Sequence, residues 1–232
     1  LFTKNISGDF TDNMCVSSGG AIYSDNSIKF TDASITFSGN HADSNGGAIS
    51  GYILYIIDSS TTFLDNSSTG YGGAINGTFT SIQGMVEGNA MSNVNFFDNN
   101  ASNGQGGAIS SNILQISKTN CLYTSNSATL GAGAIYSLYS INLEDSSMTF
   151  NKNSVKNSIV PNTYNRPGGA IYTEGTLTFI GGNYTYTNNT IPSIDDGEKT
   201  YYNLKGAAID CSALIVTGNN KYTQLINNLE EN

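Results

Sequence analysis

Few side chains in this chain of 232 residues could do chemistry, and the pattern around them is weak. His41 is the only histidine, and Asp43 lies two residues after it. With a nearby serine, these two could form a Ser-His-Asp triad, in which histidine takes the proton of an attacking hydroxyl. Related segments further along the chain carry Ser67 and Ala101 at the position of His41. The position therefore indicates an ordinary turn rather than a catalytic site.

Carboxylates give no clearer signal. Glycoside hydrolysis needs two or three carboxylates that converge on one face. Asp195 and Asp196 are adjacent, so on a strand they would point to opposite faces. Asp65 and Asp98 hold equivalent positions, but neighbouring segments carry other residue types there. A lyase acting on acidic polysaccharides would need basic groups, and the chain has one arginine and eight scattered lysines. We therefore expect no enzyme, no cofactor and no bound metal.

Charge and composition exclude several further classes. The net charge is −9 and the isoelectric point is about 4.3, which argues against binding to nucleic acid or to anionic membranes. No apolar run reaches the roughly 18 residues of a membrane-spanning helix, so we expect no membrane insertion by this segment. Glycine, asparagine and serine favour turns, whereas threonine, tyrosine, isoleucine and phenylalanine favour strands. The composition indicates an all-β protein with many turns.

A Gly-Gly-Ala-Ile motif recurs seven times, twice in altered form. It occupies Gly19–Ile22, Gly46–Ile49, Gly72–Ile75, Gly106–Ile109, Ala132–Ile135, Gly168–Ile171 and Gly206–Ile209. A Phe-x-x-Asn motif, with Tyr for Phe in two copies, alternates with it at Phe10/Asn13, Phe37/Asn40, Phe63/Asn66, Phe97/Asn100, Tyr123/Asn126, Phe150/Asn153 and Tyr186/Asn189. One unit is 26 or 27 residues long, apart from three insertions.

A third signal is a pair of apolar residues with one residue between them, found before the aromatic residue of most units. Examples are Leu54/Ile56 and Leu114/Ile116, whereas the third unit has no clean pair. Alternation at period two predicts strands, so each unit is predicted to hold three. These follow Gly-Gly, cover the apolar pair and end in the aromatic residue.

Three strands per constant repeat predict a right-handed parallel β-helix of about eight coils. Like side chains should then stack between coils about 4.8 Å apart, with glycines at the corners. The motif asparagine is expected to end its strand in the left-handed conformation and to stack into an amide ladder. Residues 1–232 form one such segment, with loop insertions near 76–95, 154–166 and 190–204.

The two motifs in fixed alternation resemble the GGA(I/L/V) and FxxN repeats of the chlamydial polymorphic membrane proteins, over nearly the whole chain. That resemblance implies part of an autotransporter passenger domain at the cell surface or outer membrane, or released from it after processing. It also implies an adhesin that attaches to host cells through a protein receptor. We expect the parent protein to continue in both directions, and this segment to self-associate end to end.

The motif residues have two interpretations. The resemblance makes them a receptor contact, whereas alternation places most of their side chains inside the coil. We favour the core. The residues concerned are Phe37, Asn40, Gly46, Gly47, Ala48, Ile49, Phe63, Asn66, Gly72, Gly73, Ala74, Ile75, Phe97, Asn100, Gly106, Gly107, Ala108 and Ile109.

Two insertions, Ser154–Arg166 and Thr190–Leu204, fall at the same corner of adjacent units and should touch. They carry tyrosines and the only arginine, which are the residue types that dominate binding hot spots. We predict a binding patch of Tyr164, Arg166, Lys199, Tyr201 and Tyr202. The alternatives are a polysaccharide-processing or polysaccharide-binding β-helix, and a structural spacer whose loops do nothing.

Three cysteines, Cys15, Cys121 and Cys211, fall in different units. The coil spacing keeps them too far apart for a disulfide within the chain, because bridged Cα atoms must approach within about 7 Å. Their spacing is not that of a zinc site. Cys121 replaces an apolar residue and should be buried. Cys15 occupies the position of Ala42, Ser68, Ser102 and Ala128, and it is also expected to be buried.

Overall fold

The computed structural model describes residues 1–84, 91–156, 168–192, 194–195, 200–201, 207–226 and 229–231. All regular secondary structure in these residues is β-strand, and no helix occurs among them. The strands belong to three series that recur once per unit. They are called here the long, aromatic and short strands.

Long strands begin near the isoleucine of the glycine motif and run through the apolar pair. They span Phe2–Lys4, Ile22–Thr31, Ile49–Ile57, Ile75–Gln83, Ile109–Ser117, Ile135–Glu144, Ile171–Thr187 and Ile209–Ile226. Aromatic strands carry the stacked ring and span Ser7–Thr11, Ser34–Ser38, Ser60–Leu64, Ser92–Phe97, Thr119–Thr124 and Ser147–Asn151. Ile171–Thr187 and Ile209–Ile226 continue around the corner and include the aromatic position of their units.

Short strands follow the motif asparagine. They span Met14–Cys15, His41–Ala42, Ser67–Ser68, Asn100–Ala101, Ser127–Ala128, Ser154–Val155, Thr190–Pro192 and Leu229–Glu231. Two further strands, Ile194–Asp195 and Thr200–Tyr201, pair antiparallel and stand outside the series. The predicted three strands per unit are present, but the assignment of residues to them was wrong in part. The isoleucine and the apolar pair share one long strand, and the third strand follows the asparagine.

Every pair between members of a series is parallel, and each strand pairs with its counterparts in the neighbouring units. The motif isoleucines form one continuous register, Ile22–Ile49–Ile75–Ile109–Ile135–Ile171–Ile209. This arrangement is a parallel β-solenoid, which confirms the predicted all-β fold class. The number of coils and the hand stay predictions.

The interior is a set of columns in which like residues lie above one another. The aromatic column is the clearest: successive ring centroids are 4.8–5.0 Å apart and the planes differ by no more than 8°. Its members are Phe10, Phe37, Phe63, Phe96, Tyr123, Phe150 and Tyr186. Their separation matches the spacing between hydrogen-bonded strands, so parallel pairing itself stacks the rings.

In the fourth unit the column contains Phe96, and the predicted Phe97 was wrong. The chain reads Phe96-Phe97-Asp98-Asn99-Asn100, so two overlapping Phe-x-x-Asn motifs are present. Phe96 pairs with Phe63 and is fully buried, whereas Phe97 is half-buried on the outer side. The same slip moves the asparagine from Asn100 to Asn99. The extra residue of this unit lies in the turn after Ala101, before Gly106.

The unit that lacks a clean apolar pair in its sequence keeps the position of that pair, with Thr80 in place of leucine. Thr80 pairs with Leu54 and Leu114, and Ile82 pairs with Ile56 and Ile116. Thr80 is fully buried, and its hydroxyl has no hydrogen-bond partner. Residues 76–83 belong to a regular strand, so the insertion predicted near 76–95 begins only after Gly84.

The two glycines of the regular motif serve different purposes, as Gly46 and Gly47 show, although Ala132 takes the first position in one altered copy with φ +50°. Gly46 has φ +65°, and a Cβ there would lie 2.2 Å from the carbonyl oxygen of Ile49. A Cβ on Gly47 would lie 2.1 Å from the carbonyl oxygen of Gly73, in the next coil. The first glycine therefore permits the left-handed corner, and the second lets two coils approach.

Replacing each of the two adjacent phenylalanines by alanine tests which of them belongs to the aromatic column. Phe96→Ala should lower the free energy of unfolding by about 3–5 kcal/mol, because it leaves a cavity between two stacked rings. Phe97→Ala should cost about 1 kcal/mol or less, as expected for an outer side chain. Urea unfolding followed by circular dichroism measures both. Equal losses for the two variants, or a larger loss for Phe97→Ala, would show that the column is misassigned.

Candidate functional site

The motif residues lie inside the coil. Ala48, Ile49, Asn40 and Phe37 are all fully buried, as are their counterparts in the next units. This placement supports the structural interpretation, because a receptor cannot reach side chains that the neighbouring coils cover. A direct receptor contact of the motifs stays an untested prediction.

The motif asparagines form a hydrogen-bonded ladder. The Nδ2 of Asn66 donates to the carbonyl oxygen of Phe37 and to the Oδ1 of Asn99, both at 3.0 Å. Its backbone N–H donates to the same Oδ1 at 3.0 Å. The pattern repeats along the ladder, whose members are Asn13, Asn40, Asn66, Asn99, Asn126, Asn153 and Asn189. The predicted ladder is thus confirmed.

The left-handed residue of this corner precedes the asparagine, so that part of the expectation was wrong. Asp65 and Asp98 have φ +54°, and Gly39 has φ +65°. The asparagine side chain must point inward to join the ladder, which leaves the turn to its neighbour. Aspartate tolerates the left-handed region better than most residues do.

His41 does contact a serine and an aspartate, although sequence reasoning discounted this site. Its Nδ1 lies 2.8 Å from Ser67 Oγ, and its Nε2 lies 3.1 Å from Asp43 Oδ1. Ser67 holds the His41 position of the next coil, so the contact follows from ladder stacking. The backbone N–H of Ser67 donates to the carbonyl oxygen of Asn40 and is not free to stabilise an oxyanion. The geometry does not support catalysis.

The predicted binding patch lies almost entirely outside the described residues. Tyr164, Arg166, Lys199 and Tyr202 fall there, and of Tyr201 only the strand position is described. That strand, Thr200–Tyr201, pairs antiparallel with Ile194–Asp195 in a two-stranded sheet separate from the coil series. Ser154 pairs with Thr190, so the first residues of the two predicted insertions lie in neighbouring strands of adjacent coils.

Sequence reasoning missed an open groove of about 270 Å³ on the outer face of the long strands. Tyr23 and Tyr52 stand on its rim and are 58% and 57% exposed. Ser50, Asn76 and the backbone of two glycines are among the residues that line it. The signal in the sequence was the tyrosine near the start of two long strands, Tyr23 and Tyr52. It was missed because the repeat was interpreted only in terms of the residues that face the interior.

A second group of tyrosines lies on the same face, further along the solenoid. Tyr136 lies 5.5 Å from the ring of Tyr172 and 6.5 Å from that of Tyr71. Its hydroxyl donates to Glu174 at 3.1 Å. Burial and the neighbouring Glu174 carboxylate raise the pKa of Tyr136. The hydroxyl therefore stays protonated, and the group acts as a packed outer cluster.

The three cysteines are free. Cys121 is buried as predicted, and burial raises the pKa of its thiol to about 12. Cys15 is half-exposed, so its expected burial was wrong. It pairs with Ala42 on one side only, whereas Ala42 lies between two neighbours. The fourth unit places Ala101, not Ser102, in this column, which is the same one-residue slip as at Phe96.

The described residues hold no group of three or more His, Cys, Asp or Glu side chains that could bind a metal ion. Across the same residues, no helix has the length and apolar character needed to cross a membrane. The fold and the surface described above define the class of protein: a parallel β-solenoid with a tightly packed interior and a polar outer surface that carries tyrosines.

Comparison with known protein families identifies the repeat. The Chlamydia polymorphic membrane protein repeat matches residues 1–25, 34–52 and 60–78, so the chain carries the repeat of this family. The resemblance predicted from the two motifs is confirmed. The family consists of surface passenger proteins and is not an enzyme family. No curated protein and no solved structure matches the chain.

Thiol burial gives a direct chemical test. Cys121 should resist alkylation by iodoacetamide in the folded protein, because only the thiolate reacts and its pKa is about 12. At pH 9, Cys15 should be labelled at least about tenfold faster, since it is half-exposed. Mass spectrometry of tryptic peptides gives the rates. In urea Cys121 should react as fast as Cys15, and equal rates in the folded state would contradict its buried position.

Proposed function

We propose that this chain is part of a passenger domain displayed on the outer surface of a bacterium, where it attaches the cell to a protein receptor on its host. One observation carries the proposal: the repeat of a surface passenger family folds into a solenoid in which most motif residues of the described units are interior. The residues that recur in every unit build the interior of the rod, so the outer residues are left for recognition.

The solenoid suits attachment because it holds surface positions at a fixed spacing. Neighbouring coils repeat every 4.8–5.0 Å along the aromatic column. Each outward position can change without disturbing a column, since side chains alternate between the two faces of a strand. Weak contacts on one rigid body add up without a further entropy cost for each.

The favoured contact is the binding patch predicted in the segments 154–166 and 190–204. Their bases are adjacent, since Ser154 pairs with Thr190. Tyr164, Tyr201 and Tyr202 supply large, rigid contact surfaces, and Arg166 can bind a receptor carboxylate through two hydrogen bonds. A net charge of −9 makes a strongly acidic receptor surface unfavourable elsewhere on the rod.

Cell binding by the purified chain tests the proposal. Fluorescently labelled protein should bind cultured mammalian cells saturably, and Arg166→Ala should weaken binding by about tenfold or more, as at a hot spot. Replacing residues 157–166 by a Gly/Ser segment of equal length should abolish it. The matched control replaces residues 85–90 in the same way, at a different corner, and should leave binding unchanged.

Each outcome has a separate meaning. No binding by the folded wild-type chain would overturn attachment by this segment and favour a structural spacer. Undiminished binding by the 157–166 replacement would retain attachment but move it to another surface. Circular dichroism must show that every variant keeps its strands, because loss of the fold would abolish binding under any hypothesis.

A further inference from the structure

The groove between Tyr23 and Asn112 is built by local departures from the repeat. Ser24 pairs with Gly51, but Ser27 pairs with Ile53, so the strand Ile22–Thr31 holds one extra residue at this corner. Such a bulge re-aims side chains away from the regular pleat. Here it carries Asp25 and Asn26 outward beside Tyr23, and it forms one end of the groove.

The next two coils carry no side chain at the same corner, because they have glycine at the positions equivalent to Ser24. Gly51 pairs with Ser24 and with Gly77 in the following coil. Both glycines line the groove together with Ser50 and Asn76. The groove crosses four neighbouring coils, from Tyr23 to Asn112. At one strand spacing per coil, its length is about 14 Å.

Charge limits what the groove can bind. None of its lining residues is lysine, arginine or histidine, and Asp25 is the only carboxylate among them. Phosphate, sulfate and uronate groups would therefore find no cation and a net repulsion. Most of the lining side chains are polar, so a lipid or another apolar ligand would leave buried polar atoms unpaired.

The polar side chains that line the groove can form hydrogen bonds to a ligand. The hydroxyl of Tyr23 donates to the Asp25 carboxylate, which joins these two side chains into one wall. Within the described part of the chain, the side-chain amides of Asn76 and Asn112 make no hydrogen bond. Each amide offers two donors and one acceptor oxygen to a ligand. The ring of Tyr52 is 57% exposed beside them.

From this chemistry we propose that the groove binds a short neutral oligosaccharide lengthwise. Sugar rings present C–H faces that pack on an aromatic ring, and their hydroxyls match amides and hydroxyls that both donate and accept. The groove is longer than a single ring, and it is uncharged apart from Asp25 at one end. This inference does not rest on the proposed attachment function, which uses a different corner of the solenoid.

The test uses the full chain and a panel of neutral trisaccharides and tetrasaccharides built from glucose, galactose, mannose and N-acetylglucosamine. Titration by calorimetry, with the panel at millimolar concentration, should show saturable binding of at least one member. Tyr52→Ala and Asn76→Ala should each weaken it by about tenfold, because each removes a direct contact from an open site. Both side chains lie outside the packed columns, so the fold should survive.

Tyr139→Ala is the matched control. Tyr139 is 60% exposed on the long-strand face but does not line the groove. Its replacement should change affinity less than twofold. The proposal is overturned if no panel member binds, if Tyr139→Ala weakens binding as much as Tyr52→Ala does, or if a sulfated heparin tetrasaccharide binds more tightly than every neutral sugar. Retained cell attachment by Tyr52→Ala would separate the groove from the attachment corner.

Discussion

Parallel, in-register pairing of successive coils is the constraint on which the rest of this structure depends. When strands pair in register at a spacing near 4.8 Å, whatever occupies one position stands directly over its counterpart. Planar rings can stack at that distance, and carboxamides can hydrogen-bond. The aromatic column and the asparagine ladder are therefore two consequences of one backbone arrangement. A buried amide is stable only because both of its donors and its oxygen are satisfied along the column.

The same constraint separates two kinds of position. Interior side chains share a column with two neighbours, so a change in one coil is felt in three. Outer side chains also stand over one another, but solvent covers them on one side, so unlike residues can follow one another there. His41 and Ser67 illustrate this freedom, since one column position holds an imidazole and a hydroxyl in adjacent coils. Functional chemistry in such a protein should be sought on outer positions and at corners, where the repeat is broken.

Much of the fold could be predicted from spacing alone, because two motifs in alternation define both the period and the columns. What failed was local. Phe96-Phe97 and Asn99-Asn100 are doubled residues, and spacing measured from the glycine motif chose the wrong member of each pair, since the extra residue lies downstream of them. The left-handed turn residue was assigned to the asparagine itself because local propensity does not show that the amide is needed inside. The groove was missed since it arises from a bulge, which period counting treats as noise.

The asparagine ladder has a direction, since each Nδ2 donates to the Oδ1 of the coil that follows. Each asparagine of the ladder thus donates to the next coil and accepts from the preceding coil through the same atoms. A whole unit could be duplicated or deleted in a gene without leaving a mismatched joint, whereas a change of a few residues could not. Length in such a solenoid is open to evolution in steps of one coil, and the reach of a surface protein could be adjusted without redesigning its interior.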